Sequence, residues 1–266
     1  MWYKIKSFLL FIIVTLYFNS SIHSNLLGNC LESDSLALVE FYHSTNGNSW
    51  KNNTGWLKKP IKDWHGITLN EDSCSIKGVV LKYNNLSGKL IDLNMPNLVH
   101  FALPFSKITG KIPDFTHLSN LQFLNLNSNQ LTGKVPDFKN LPSLKALDLG
   151  KNQLTGKIPD FSNLIRISSL SLRDNQITGR IPDFHNLNNL KYLYLNKNQL
   201  TGKVPDFSNL PNLQVLFLED NQLKGRIPDF SNLPKLEKLY CRNNKLRGEI
   251  PNFSRLTKLK SLNLTD

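Results

Sequence analysis

The side chains that could move protons or hold a metal are scattered through this 266-residue chain without converging. His43, His65, His100, His117 and His185 occupy unrelated places. The carboxylates recur at regular intervals and never meet as a distinctive pair, so general acid–base work has no candidate. Neither a Gly-x-Ser-x-Gly elbow nor a phosphate loop occurs. Three cysteines with no histidine at ligand spacing give no zinc signature. The expectation is a protein that is not an enzyme and takes no cofactor and no metal.

The residues that do suggest chemistry are aromatic and basic, and they lie in the second half. Tyr194, Phe217 and Tyr240 follow one another at steps of 23 residues, with Tyr192 beside the first. Arg173, Glu219 and Arg242 fall two residues beyond the same register. Aromatic residues and arginine are the usual hot spots of binding surfaces. These seven side chains are therefore the candidate site for a protein, peptide or glycan ligand. The competing explanation is that aromatic residues pair well across strands and simply stabilise a sheet.

Positioning them requires a regular scaffold, and the sequence supplies one. A glycine returns at Gly110, Gly133, Gly156, Gly179, Gly202, Gly225 and Gly248, always 23 residues apart. A fixed period of this size marks a solenoid. One full copy contains Leu121, Leu124, Leu126, Asn129, Leu131, Gly133, Val135, Pro136, Phe138 and Leu141. Leu-x-Leu alternation predicts a short strand with one face buried, and stacked copies predict one parallel sheet. Side chains at equal positions in successive copies then stand about 5 Å apart. The recurrent asparagine (Asn129, Asn152, Asn175, Asn198, Asn221, Asn244) is expected to bond backbone groups left over where the strand turns, and to link neighbouring coils. Gly-x-Ile/Val-Pro forbids a helix on the return path, which is expected to be extended, turn or 3₁₀-like. Phe115 to Phe253, one per copy, is expected to fill the outer half of the core.

This unit resembles the leucine-rich repeat, specifically the plant-like subclass with Leu-x-Gly-x-Ile-Pro, over about residues 76–266. It is one residue shorter than that subclass's usual unit, and Asp-Phe-x-x-Leu replaces the usual Leu-Gly-x-Leu segment. The resemblance implies an α/β-type repeat solenoid, mostly β with few helices, right-handed and with its parallel sheet on the concave side. It also implies a secreted or cell-surface binding module that recognises a macromolecule through that concave face. Other readings are a structural or adhesion protein held to anionic envelope polymers, and the non-catalytic repeat part of a larger signalling protein. Before the repeats, Tyr42-x-x-x-Asn46-Gly47-x-x-Trp50 and Trp56 resemble the N-terminal cap of bacterial extracellular members. Trp64-His65-Gly66-Ile67-Thr68 is similar to a segment of plant caps, with Leu69 where a cysteine is expected.

Three segments follow. Residues 1–24 look like a secretory signal: Lys4 and Lys6, an apolar run Phe8–Phe18 too short for an ordinary span, then a polar exit. No second apolar run exists, so the mature chain is expected to have no membrane span. Residues 25–75 form the cap, with a short helix started by Ser33-Asp34, carrying Leu36, Val39 and Tyr42 on one face. Trp50, Trp56 and Trp64 are expected to plug the end of the core rather than bind sugars. Cys30 and Cys74 are the expected disulfide of an exported chain, and Cys241, at a core position, is expected to be a buried thiol. Residues 76–266 hold about eight full repeats of 22–23 residues plus a truncated last one. The chain's net charge is +12, yet export and dispersed lysines argue against nucleic acid as a partner. The basic column after each glycine and the aspartate column after each proline are expected to neutralise each other on the surface.

Overall fold

The computed structural model describes residues 31–264. The segment 1–24 and Cys30, one end of the expected disulfide, lie outside the described residues. The chain opens with helix α1 (Glu32–Ser44), ended by Asn46 in the left-handed region at φ 57°. Ser33 lies inside the helix rather than at its start, and Leu31 precedes it without a side-chain cap. Leu36 points outward instead of inward, at 49% exposed. Val39 and Tyr42 are buried as expected, together with Asp34, Leu38 and Phe41. Asp34 accepts the Ile76 N–H at 2.7 Å, tying the helix to the first repeat strand.

The three tryptophans are buried, as expected of a plug, and their indole N–H groups donate to Thr45, His65 and Lys59 carbonyls. Trp50, Trp56 and Trp64 contact one another in turn at 4.8 and 4.7 Å between centroids. Phe41 carries the contact forward to Phe101, edge-on at 6.0 Å. The cluster is thus continuous with the solenoid core, and its rings are unavailable to a sugar.

Beyond it the chain winds through about eight turns of a mostly-β solenoid. The main sheet has ten strands. The first two, β1 (Ile67–Leu69) and β2 (Ile76–Val80), pair antiparallel, and every later neighbour is parallel. The remaining strands centre on Phe101, Leu124, Leu147, Leu170, Leu193, Leu216, Leu239 and Leu262. The return path is more regular than the sequence suggested. Segments such as Gln199–Gly202 also alternate out, in, out, and form two four-stranded sheets separate from the first. The bridge Lys157 to Thr178 spans the gap between those two, with the Thr178 N–H donating to the Gly156 carbonyl at 2.7 Å.

Asparagines lock coil to coil as expected. The Asn152 amide donates to Leu126, Leu149 and Gly150 carbonyls and accepts the Leu131 N–H, all at 3.0–3.1 Å. Ser106 holds this position in a degenerate copy, and its buried hydroxyl has no partner. The phenylalanines from Phe115 to Phe230 are fully buried, while Phe253 is only partly so. Each fully buried one adopts φ near 50°, which the sequence did not suggest. At Asp137, Asp160, Asp206 and Asp229 the preceding carboxylate accepts the N–H two residues on, bracing that turn. These four aspartates are turn braces. Among the described residues the ion pairs are Lys260–Glu237 and His185–Asp183, and neither joins the basic column to the aspartate column. The two columns therefore do not pair as expected.

Candidate functional site: the face of the ten-stranded sheet

Six of the candidate residues sit on three adjacent strands, Tyr192–Tyr194, Val215–Phe217 and Lys238–Tyr240, and on the turns after the last two, while Arg173 lies on the turn after the preceding strand, Ser169–Ser171. Parallel register places Tyr194 beside Phe217 and Phe217 beside Tyr240. The Tyr194 ring meets Phe217 edge-on at 5.2 Å, and Phe217 stacks on Tyr240 at 4.4 Å with only 3° between planes. Such contacts add about 1 kcal/mol each beyond the area they cover. All three rings stay partly open to solvent. The Tyr240 hydroxyl shares a 2.9 Å hydrogen bond with Ser261. Tyr192 lies on the neighbouring column, between Ser169 and Val215, and is 36% exposed.

The polar members are placed less simply. Arg173 is half-buried and Arg242 exposed, whereas Glu219 is only 9% exposed. Its Oε2 has no hydrogen-bond partner. Asn196, one coil before Glu219, is equally buried, and its Oδ1 also lacks a partner, as does the Ser171 hydroxyl. Earlier coils of the same face differ. There Asn127 donates to Asp148 at 3.3 Å, and Asp148 accepts the Gly150 N–H. Uncompensated acceptors thus gather in the aromatic half. A buried polar group without a partner costs about 1–3 kcal/mol.

Burial pushes the Glu219 carboxyl above its ordinary 4.5, with Asp220 adding to the rise and Arg242 and Lys197 opposing it. Cys241, buried in the core as expected, has its thiol pushed up to about 12 by burial, with the Glu219 charge adding to it. The Tyr194 hydroxyl is likewise raised, first by burial. A carboxyl raised in the folded state keeps its proton where the unfolded chain has lost it. Folded stability therefore falls as pH climbs above 4.5 through the raised value. Glu219→Gln is expected to flatten that part of the melting temperature's pH profile, checked by thermal unfolding of both proteins across the range.

Sequence reasoning missed a second aromatic group at the other end of the face. Tyr83 and Phe105 stack at 4.1 Å and are 53% and 41% exposed. His100 and Phe123 stack at 4.6 Å nearby, and burial lowers the histidine's pKa. A groove of about 280 Å³ beside Phe105 reaches along Lys82, Asn125, Asn127 and Asp148 to Arg173. The early copies are degenerate, so their outward positions are hard to align; the residue directly before Asn84, and before Ser106 at the equivalent position, is the signal that exposes Tyr83 and Phe105.

No group of residues able to hold a metal ion occurs among the described residues. No helix there is long and apolar enough to cross a membrane.

The family model described as Leucine Rich repeats (2 copies) matches residues 119–163, 165–209, 188–234 and 211–248. No curated protein matches the chain. Among solved structures, it is similar to the leucine-rich-repeat ectodomain of the Arabidopsis thaliana membrane receptor kinase GASSHO1/SCHENGEN3, in complex with CASPARIAN STRIP INTEGRITY FACTOR 2. Identity is 32% and the TM-score 0.82, over 87% of this chain and 29% of that one. The chain thus spans less than a third of that ectodomain's length. It is 33% identical to Pollen Receptor Kinase 3, with a TM-score of 0.61, over 70% of this chain and 94% of that one. A plant ice-binding protein shares the fold, at 24% identity and a TM-score of 0.66, over 90% of this chain and 87% of that one.

Proposed function

The chain belongs to the leucine-rich-repeat family, and on that footing we propose that it is a secreted or cell-surface binding module that holds an extended peptide or protein segment across its ten-stranded sheet. The observation that carries this reading is the half-open row Tyr194–Phe217–Tyr240, bordered by the buried, partnerless acceptors of Asn196 and Glu219. Rings supply desolvated contact area. Half-buried Arg173 and exposed Arg242 supply donors for a ligand's carbonyl or carboxylate oxygens. Tyr83 and Phe105 offer a second anchor several coils away, with polar residues between. Fold neighbours caught with peptide ligands, such as the PEPR1–AtPEP1 complex, agree with this class of partner. The export leader over residues 1–24, the plant-like subclass, the bacterial-type cap and the Cys30–Cys74 bridge form part of the same proposal.

The test uses a random peptide library displayed on phage and panned against the protein. Peptides that enrich should lose at least ~30-fold in affinity for the Tyr194→Ala/Phe217→Ala variant, the magnitude of a truncated hot spot. The variant's thermal unfolding should stay cooperative. Enriched peptides that bind wild type and variant equally would sink the proposal.

A further inference from the structure

Away from the aromatic face, the solenoid carries a file of cations: Lys111, Lys134, Lys157, Arg180, Lys203 and Arg226, one per coil and all exposed. Their stems are fixed by packing. A Cβ added at Gly156 would stand 3.0 Å from Cγ of Lys134, and one at Gly202 would stand 2.9 Å from Cγ of Arg180. Each stem therefore fills the space that the next coil's glycine leaves open. Part of the entropy lost on holding a ligand has thus been given up already on folding.

Charge along this file is not balanced evenly. Among the described residues none of its members has an ion-pair partner. The nearby aspartates are occupied in bracing their own turns. In the last coils the file widens. Earlier copies place Thr155, Thr178 and Thr201 next to each glycine, with hydroxyls donating to the previous coil's glycine carbonyl. Lys224 takes that place in the next copy and Arg247 in the one after. At this transition lies a groove of about 450 Å³, lined by Arg180, Lys203 and Lys224 with Ile181, Gly202, Val204 and Pro205. Three cations and no acid face it.

We propose that this groove and the file leading to it form a second binding site, for a linear acidic polysaccharide bearing a carboxylate or sulfate on its sugars. A narrow line of cations, spaced about one coil or ~5 Å apart, suits an extended chain with regularly recurring anions. Arg180 offers a planar fork that matches a carboxylate or sulfate. The groove's lining contains no aromatic ring on which a base could stack, which disfavours single-stranded nucleic acid. The site shares no residue with the aromatic row, so one chain can hold a polymer and a peptide at once.

The experiment measures binding of polygalacturonate and of dextran sulfate to the protein by calorimetry at rising NaCl. Two triple variants remove equal charge: Arg180→Gln/Lys203→Gln/Lys224→Gln in the groove, and Lys139→Gln/Lys145→Gln/Lys191→Gln elsewhere on the surface. Expected is salt-weakened binding of at least one polymer, lowered at least ~10-fold by the groove triple and less than about 2-fold by the other. Glutamine keeps most of each stem's packing, and circular dichroism confirms that both variants are folded. The proposal is overturned if neither polymer binds, if both triples weaken binding alike, or if duplex DNA or anionic phospholipid vesicles bind as tightly as the polysaccharides.

Discussion

Phe161→Ala is expected to destabilise the protein by about 3–5 kcal/mol, the usual cost of truncating a fully buried phenylalanine. Its ring is 1% exposed and stacks on Phe138 at 6.4 Å, in the middle of the column. Neighbouring coils are held by strands, asparagines and stacked glycines, so the vacated space cannot collapse easily. The backbone adds a second expectation. Phe161 sits at φ 53°, a region that costs a side-chain-bearing residue about 1 kcal/mol or more. Burial of the ring outweighs that cost here. Alanine keeps the strain and loses the ring, whereas glycine loses the ring and relieves the strain. Phe161→Gly should therefore be no less stable than Phe161→Ala, against the ordinary order for buried sites. Urea unfolding of the two variants measures the difference directly. A glycine variant less stable than alanine by more than ~1 kcal/mol would show that the left-handed conformation is not strained.

Asn152→Ala is expected to cost about 3 kcal/mol. The amide serves three carbonyls and one N–H, at 3.0–3.1 Å, from the preceding coil as well as its own. The site is closed to water: Asn152 is 9% exposed. Alanine orphans the buried Leu131 N–H, at about 1–3 kcal/mol, and takes one donor each from the Leu126, Leu149 and Gly150 carbonyls, which keep Asn129, Asn175 and the Ser128 N–H. Relaxation and water entry reduce the sum, hence the intermediate figure. Asn152→Asp sharpens the test, because it keeps the acceptor but turns the donors into a charge facing three carbonyl oxygens. It should be at least as destabilising as alanine at neutral pH. If Asn152→Asp instead unfolds at the wild-type urea concentration, the donors contribute nothing and the ladder's role is wrongly assigned.

The features legible in sequence were those fixed within one copy. Leu-x-Leu alternation announced the strand, Asn129 and its copies announced the bonded turn, and the three tryptophans announced a buried plug. Features that depend on the adjacent copy were not legible. The lysine stem filling the next glycine's space joins residues such as Lys134 and Gly156, a whole coil apart. The aspartate column showed its sign in the sequence but not its hydrogen bonds, so charge cancellation was the natural expectation and turn bracing the outcome. Phe161's positive φ was hidden because a phenylalanine is a poor signal for a left-handed turn. At the candidate site, register alone placed Tyr194, Phe217 and Tyr240 side by side. Glu219's burial was not foreseen, since an acid in the turn just after Leu218 looks outward on pattern alone. Tyr83 and Phe105 escaped notice because they lie in irregular copies and project from the turn, outside the strand positions that were compared.

In the copies from Asn129 to Asn244, each joint between coils is made by the same few contacts. An asparagine reaches 26 residues back and is met from 21 residues back by an amide seeking its oxygen. Duplicating one unit in the gene therefore adds one more standard joint and disturbs none. Length becomes an inheritable quantity that changes in whole steps of about 5 Å. The spacing between the Tyr83–Phe105 pair and the Tyr194–Tyr240 row would grow or shrink by the same step. Ancestral gains and losses of copies could thus retune how long a ligand spans the two anchors, with no substitution at either.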